Sequence, residues 1–327
     1  MVLVLSGKNL RGWLTMAKSI ELVEGFYKSF SSEDYIMPPR EMMQIPELDA
    51  VYVFMPSYSH TVGSFTLKLI NEYRRNLSLY GLNVASGLIL VFNLSTGQLE
   101  GLMDSVYPTA MRTGAIGGVA AKYMASRDSE EVGLLGSGNQ AWTQLEAVGT
   151  VLPVRRVKVY SPNKKHREDL ARKASAELGI EAKAVDSAKE AVENVDILIT
   201  ATNSAEPVLS GSWLSEGVHI NSLGALATRR ELDEITFHRC SVVVADYKES
   251  VVREAGDIID ALSKNIIKID EIVELHEVVK GLREGRRGSR EITLMKSVGF
   301  ASLDLFFATS LYKMAREKSL GVEIDIH

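Results

Sequence analysis

Apolar positions change their period once along the chain, near Arg127–Glu131. Ahead of that point, VYVFMP (Val51–Pro56), SFTLKL (Ser64–Leu69), GLILVF (Gly87–Phe92) and QLEGLM (Gln98–Met103) are short β-favouring runs. Turn signals such as Tyr58–Ser59–His60 and Ser95–Thr96–Gly97 separate them, so an antiparallel sheet is the simplest reading. Ile20, Val23, Tyr27 and Phe30 recur close to helical spacing and predict a helix before the sheet. From Tyr107 to Ala125 the chain is rich in small residues (Ala110, Gly114, Ala115, Gly117, Gly118, Ala120, Ala121), which predicts a tightly packed connecting helix.

Beyond Glu131 strand and helix patterns alternate. EVGLL, VKVY, VDILITA (Val195–Ala201), VHINSL (Val218–Leu223) and SVVVAD (Ser241–Asp246) are continuous apolar runs suited to strands buried on both faces. The alternation predicts a parallel, doubly wound α/β sheet of the Rossmann type over 116–289, beside an α+β domain over 1–115. A final amphipathic helix, Phe300 to Arg316, is placed to return to the first domain, which would then be completed by about 290–327.

Composition narrows the function classes. The chain has 327 residues, 46% of them hydrophobic and 24% charged, enough apolar material for about two folded domains. Lys+Arg number 37 against 42 Asp+Glu, so the net charge of −5 gives no general reason to expect nucleic acid or an acidic membrane as partner. Cys240 is the only cysteine, which excludes an intrachain disulfide, a CxxC redox pair and a Cys-rich zinc site. No metal is required by any motif. The opening MVLVLSGKNL has no basic region ahead of its apolar stretch, and no run approaches the roughly 18 apolar residues of a membrane span. A cytoplasmic enzyme or binding protein is the expectation.

The sharpest motif is GLLGSGNQA (Gly133–Ala141), in which Gly136, Gly138 and Ala141 fill a GxGxxA pattern between a strand and a helix. Gly136 permits a tight turn, Gly138 lets backbone approach a pyrophosphate, and Ala141 allows helix–strand packing; Ser137, Asn139 and Gln140 complete the turn. At the end of the next strand, where NAD sites usually present an acid to the ribose, the segment is VYSPNKKHR. Ser161 stands near the expected acid, with Asn163, Lys164, Lys165, His166 and Arg167 following. Cations and no carboxylate favour NADP(H) over NAD(H).

Three basic residues ahead of that motif look placed. Arg40 follows two prolines in IMPPR, Lys68 lies inside SFTLKL, and Arg112 sits among small residues in AMRTGA. Alternation sends Phe65, Leu67 and Leu69 to one face and Thr66 and Lys68 to the other, so Lys68 can point into a cavity. A guanidinium fork and an ammonium point charge together suit a small carboxylic acid. Each also has an ordinary alternative: an exposed strand charge for Lys68, a loop cation for Arg40, a structural ion pair for Arg112.

IMPPR, MPSYS, TLKL, LMDSVYPTAMRTGA, GLLGSGNQA, ITATNSAEPVLSGSWLSEGVHINSLGA, RELD, REAGDI and TLMKSVGFASLD occur in the order of the motifs of the ornithine cyclodeaminase/mu-crystallin family. The chain resembles that family, which also includes archaeal alanine dehydrogenases and ketimine reductases, over nearly its whole length. The resemblance implies a homodimer of subunits with an N-terminal substrate-binding and dimerisation domain joined to the Rossmann domain. It implies that Arg40, Lys68 and Arg112 hold the carboxylate of an amino or imino acid and that Gly136, Gly138, Asn139 and Gln140 hold the pyrophosphate. It also places Ser161 and its basic neighbours at the adenosine ribose, and Thr200, Ala201, Thr202 and Leu223 on the nicotinamide side.

One departure bears on the reaction. The cyclodeaminase and alanine dehydrogenase branches carry an Asp two positions past the glycine of HINSLG, where it handles the substrate amine. Leu226 occupies that place, in a loop about a residue shorter than the family's pattern. Leucine neither accepts a proton nor pairs with an ammonium group. The ketimine reductase branch also lacks the acid, so reduction of the C=N bond of a small imino acid is the expected activity, with Lys68 as proton relay. The alternatives are an alanine or ornithine enzyme of the dehydrogenase or cyclodeaminase type, with its acid supplied by a residue such as Asp304, and a non-enzymatic, NADPH-dependent ligand binder. Met55, Tyr58 and Met103 are candidate walls for the substrate side chain that serve equally as core.

Overall fold

The computed structural model describes residues 1–326. The chain divides into two compact units, Met1–Arg112 with Phe300 onward, and Thr113–Gly299. The second unit thus starts at 113 rather than 116 and ends at 299 rather than 289. The later end has a clear cause: Ile292–Lys296 is a strand of the parallel sheet.

The first unit is built on one sheet. Its strands are β1 (Val2–Leu5), β2 (Tyr35–Ile36), β3 (Glu41–Ile45), β4 (Ala50–Ser59), β5 (Ser64–Tyr73), β6 (Ala85–Asn93) and β7 (Leu99–Asp104), joined by β16 (Val322–Ile324) from the end of the chain. The order is β16-β1-β7-β6-β5-β4-β2, with β3 also pairing β4. β4 to β7 form the antiparallel meander that the turn signals predict. The opening strand pairs parallel to β7, so the sheet as a whole is mixed rather than antiparallel. Helix Met16–Ser29, with Thr15 as its N-cap, and helix Ala301–Glu317 pack together, and the latter also packs on β4, β5 and β6. Phe26 is fully buried between the two helices, its ring 5.7 Å from that of Phe300 and 5.6 Å from that of Phe306.

The two faces of this sheet invert the usual assignment. Phe65, Leu67 and Leu69 lie on the half-exposed face, in register with Tyr58, Pro56 and Phe54 on β4 and with Phe92, Leu90 and Leu88 on β6. Thr66 and Lys68 lie on the buried face. There Lys68 stands directly between Met55 and Ile89, and Ile89 in turn faces Met103. A lysine in an apolar row is tolerated only with a counter-charge, and that counter-charge comes from the C-terminal helix.

The second unit carries β8 (Glu131–Leu135), β9 (Arg156–Tyr160), β10 (Glu181–Ala184), β11 (Ile197–Thr200), β12 (His219–Ser222), β13 (Cys240–Ala245), β14 (Val273–Glu274) and β15 (Ile292–Lys296). All pairs are parallel, in the order β10-β9-β8-β11-β12-β15-β13-β14. Successive side chains of β11 feed opposite cores, Ile197 and Ile199 one and Leu198 the other, which is why its sequence lacks alternation. Strand order reverses between β8 and β11, and the crevice at that switch point is where doubly wound sheets bind ligands. The small-residue helix, Val106–Met124, packs as closely as its composition predicts: a Cβ on Gly117 would sit 1.8 Å from Gln144 Oε1, and the Asn221 amide donates to the Gly117 carbonyl.

Candidate functional site

At the carboxyl end of β8 the chain turns through Gly136, whose φ of +119° favours glycine and whose N–H donates to the Tyr160 carbonyl at 2.9 Å. A Cβ there would lie 2.3 Å from the Ala201 carbonyl oxygen, so any other residue would strain the turn and collide with backbone. Gly138 differs. Its backbone is extended, nothing lies within 4 Å of a Cβ placed on it, and it caps helix Asn139–Val151 without a side chain to take the first amides. The space in front of Gly138 and the uncapped helix start, beginning with Asn139 and Gln140, fit a pyrophosphate. Ala141 is fully buried against the sheet.

The carboxyl end of β9 is a chain of neutral polar groups. The Ser137 hydroxyl donates to Ser161 Oγ at 2.9 Å, and Ser161 Oγ donates to the Asn163 carbonyl. Asn163 Oδ1 caps helix Lys164–Leu178. Arg167 is held inward: it donates to the Ser161 carbonyl at 3.0 Å and to Asp186 at 2.6 Å, and lies over the Tyr160 ring. Lys164 is exposed, 3.9 Å from Glu168. Of the predicted basic group, Arg167 therefore turns inward at the carboxyl end of β9 while Lys164 lies exposed to solvent.

Thr200 ends β11 and is followed by Ala201 and Thr202, and Leu223 follows β12. Three of these four converge on a residue that sequence reading left inside the RELD motif without a role. The Thr200 hydroxyl and the Thr202 and Leu223 amides all donate to the buried carboxylate of Glu231. Leu226 is half-buried with φ +93° and bridges to Ala255, so the shortened loop is held in a conformation costly for a non-glycine residue, on the order of 1–3 kcal/mol.

In the first unit Lys68 and Arg112 meet on one carboxylate. Lys68 Nζ donates to Asp304 Oδ2 and Arg112 Nε to Asp304 Oδ1, each at 3.0 Å, with all three side chains no more than 6% exposed. Asp304 lies in the first turn of helix Ala301–Glu317, where the helix dipole favours a negative charge. Burial raises the Asp304 pKa, but Arg112 and Lys68 outweigh it and hold the carboxyl below its ordinary value. The Lys68 pKa is lowered to about 8, first by burial, with Asp304 opposing and Arg112 and Arg40 adding to the fall. Desolvation in the apolar row is thus the first cause and the neighbouring cations the second. Arg40, in the segment before β3, acts on Lys68 through its charge.

The sequence offers Asp304 only as a substitute acid; its pairing with Lys68 spans 236 residues and leaves no local signal. Since Arg112 engages Asp304 through Nε, the edge formed by its two terminal nitrogens is left for a second acceptor. Met55 and Met103 share the buried face with Lys68, whereas Tyr58, opposite Phe65, points to the other face and is no wall of this site.

The residues of the first unit form a buried cationic cluster, and those of the second a dinucleotide-type crevice. A profile of the ornithine cyclodeaminase/mu-crystallin family matches residues 2–319, and the chain belongs to that family. Among solved structures, the Thermococcus litoralis Delta(1)-pyrroline-2-carboxylate reductase in complex with NADH and L-proline is 39% identical, with a TM-score of 0.94 over 99% of this chain and 100% of that one. An archaeal alanine dehydrogenase dimer with bound NAD is 31% identical, with a TM-score of 0.91 over 100% and 99%. The iminosuccinate reductase of Paracoccus denitrificans in complex with NAD+ is 25% identical, with a TM-score of 0.90 over 99% of each chain.

The two glycines separate by experiment. Gly136→Ala is expected to destabilise the second unit by about 1–3 kcal/mol in urea unfolding. Gly138→Ala is expected to leave the unfolding midpoint unchanged and to weaken dinucleotide binding at least tenfold by fluorescence titration; equal stability losses in both would refute the distinction. Asp304→Asn removes the charge that keeps the proton on Lys68. A pH profile of kcat/KM should fall above about pH 8 in the unaltered chain. In the variant the same limb should move at least about one pH unit lower, and a limb that stays in place would detach Lys68 from Asp304.

Proposed function

We propose that the chain is an NAD(P)H-dependent oxidoreductase that reduces the C=N bond of a small imino acid. The observation that carries this reading is the buried Lys68–Asp304–Arg112 cluster, which keeps a guanidinium edge and a partly deprotonatable ammonium available to one small anion. The likeness to two imino-acid reductases supports it, as does Leu226 in place of an acid.

A bound reduced nicotinamide supplies hydride from its C4. The chain's own residues do the rest. The terminal nitrogens of Arg112 grip the substrate carboxylate in a planar, two-bond fit, and Arg40 adds positive charge. This fixes the imine carbon, and orientation of that kind within about 3–3.5 Å of the donor is the largest available rate gain. Lys68, protonated below about pH 8, gives a proton to the imine nitrogen as hydride reaches the carbon, and Asp304 holds its ammonium in place.

Ser161 at the ribose position, with Asn163, Lys164 and Arg167 near it and no carboxylate in its place, supports NADP(H) over NAD(H). No helix among the described residues is long and apolar enough to cross a membrane, and we place the enzyme in the cytoplasm. The half-exposed face of the first sheet carries three apolar rows centred on Phe65, Leu67 and Leu69. A second copy of the chain is its partner in this reading, in keeping with the dimeric alanine dehydrogenase.

Following absorbance of the reduced nicotinamide with cyclic imino acids, pyruvate plus ammonia or methylamine, and ornithine tests the reaction. Cyclic imino acids should oxidise the cofactor fastest, with a higher kcat/KM for NADPH than for NADH. Arg112→Ala should lower kcat/KM about 100-fold or more, in line with two charged hydrogen bonds of roughly 1.5–3 kcal/mol each, without changing NADPH affinity. Ammonia and proline from ornithine would point to a lyase instead. Light scattering should give a dimer mass, and Leu67→Glu should yield monomers.

A further inference from the structure

Four of the motifs that mark the family converge on one buried ionic cluster that the carboxylate-binding and pyrophosphate sites do not use. The register row Thr200–Ser222–Lys296 crosses the carboxyl ends of β11, β12 and β15. Lys296 Nζ donates to Ser222 Oγ at 2.9 Å and to Asp257 Oδ2 at 2.7 Å, and lies 4.0 Å from Glu231. Both Glu231 and Lys296 are fully inaccessible. Glu231 accepts from five donors: Thr200 Oγ1 at 2.7 Å, the Thr202 amide at 2.6 Å, Ser222 Oγ at 3.0 Å, the Leu223 amide at 3.1 Å and the Gly224 amide at 2.7 Å.

An ionised carboxylate has about four lone-pair sites and no proton, and no neutral side chain of this size accepts so many donors. Burying it is expensive and is offset here by those bonds and by Lys296. What the arrangement fixes is specific. Both loops that leave the switch-point side, one after β11 and one after β12, begin on the same two oxygens. The first of them is also trapped from the other side, because the Ala201 carbonyl abuts Gly136, where a Cβ would come within 2.3 Å.

We propose that Glu231 is a positioning residue for hydride transfer: through the backbone at 202, 223 and 224 it sets the spacing of the two loops that seat the nicotinamide ring, and Lys296 and Asp257 hold it there. This rests on the reading that the Gly136–Gln140 turn holds the pyrophosphate and that the ring lies along Thr200–Thr202 and Leu223.

ADP-ribose and NADH, with their 2′-phosphorylated forms, separate the two readings, since ADP-ribose keeps the adenosine and pyrophosphate and lacks the ring. Calorimetric titration of Glu231→Gln should show ADP-ribose affinity within twofold of the unaltered chain, NADH or NADPH affinity at least tenfold weaker, and kcat at least tenfold lower. Thr200→Val, which removes one hydroxyl donor and keeps the carboxylate, should show the same ring-selective pattern at threefold or more, and it keeps the test open if Glu231→Gln does not fold. Equal weakening of both ligands, or no ring-selective loss in Thr200→Val, would make the cluster merely structural and overturn the proposal. Failure of the unaltered chain to bind ADP-ribose would sink the pyrophosphate reading itself, and this inference with it.

Discussion

The division of one carboxylate between two cations, Asp304 between Lys68 and Arg112, is the constraint on which the first unit depends. Lysine between Met55 and Ile89 on an inner sheet face is untenable alone, and removing one partner of such a buried pair costs about 3–5 kcal/mol. Asp304 resolves this at modest expense because it sits at the start of a helix and meets each cation with a separate oxygen. The cluster retains an excess of positive charge, two cations sharing one carboxylate. The same arrangement tunes Lys68 to a pKa of about 8, within reach of proton transfer near neutrality.

The second unit solves a related problem at the carboxyl ends of its central strands. At β11 and β12 the hydroxyls of Thr200 and Ser222 and the amides of Thr202, Leu223 and Gly224 gather on the one carboxylate of Glu231. In both units a buried acid from a distant stretch of chain organises groups presented by strands. In both, the acid sits at the margin where chemistry is expected, and the strands themselves are held by ordinary apolar packing.

Legibility in the sequence follows the range of the interaction. The Gly136 turn and the apolar strands of the parallel sheet are written locally and are legible there. Alternation correctly put Thr66 and Lys68 on one face, and their inward orientation required knowing that Asp304 would be there. Tyr58, a candidate wall or core residue by sequence, lies on the opposite face, and nothing near it says which face is buried. β15 escaped notice because it inserts between β12 and β13, out of chain order, so the run containing Lys296 reads as part of the return to the first domain. The parallel β1–β7 pairing and the roles of Asp304 and Glu231 likewise depend on contacts far apart in sequence.

That out-of-order insertion has a consequence for biosynthesis. During translation β13 and β14 emerge before the strand that joins them to β12, so the nucleotide-binding sheet remains in two pieces until residue 296 has cleared the ribosome. The other unit waits as well, for the helix bearing Asp304. Nascent chains therefore carry unpaired strand edges for most of their synthesis, a state prone to association with one another. Neither unit is separable as a contiguous fragment ending before residue 296.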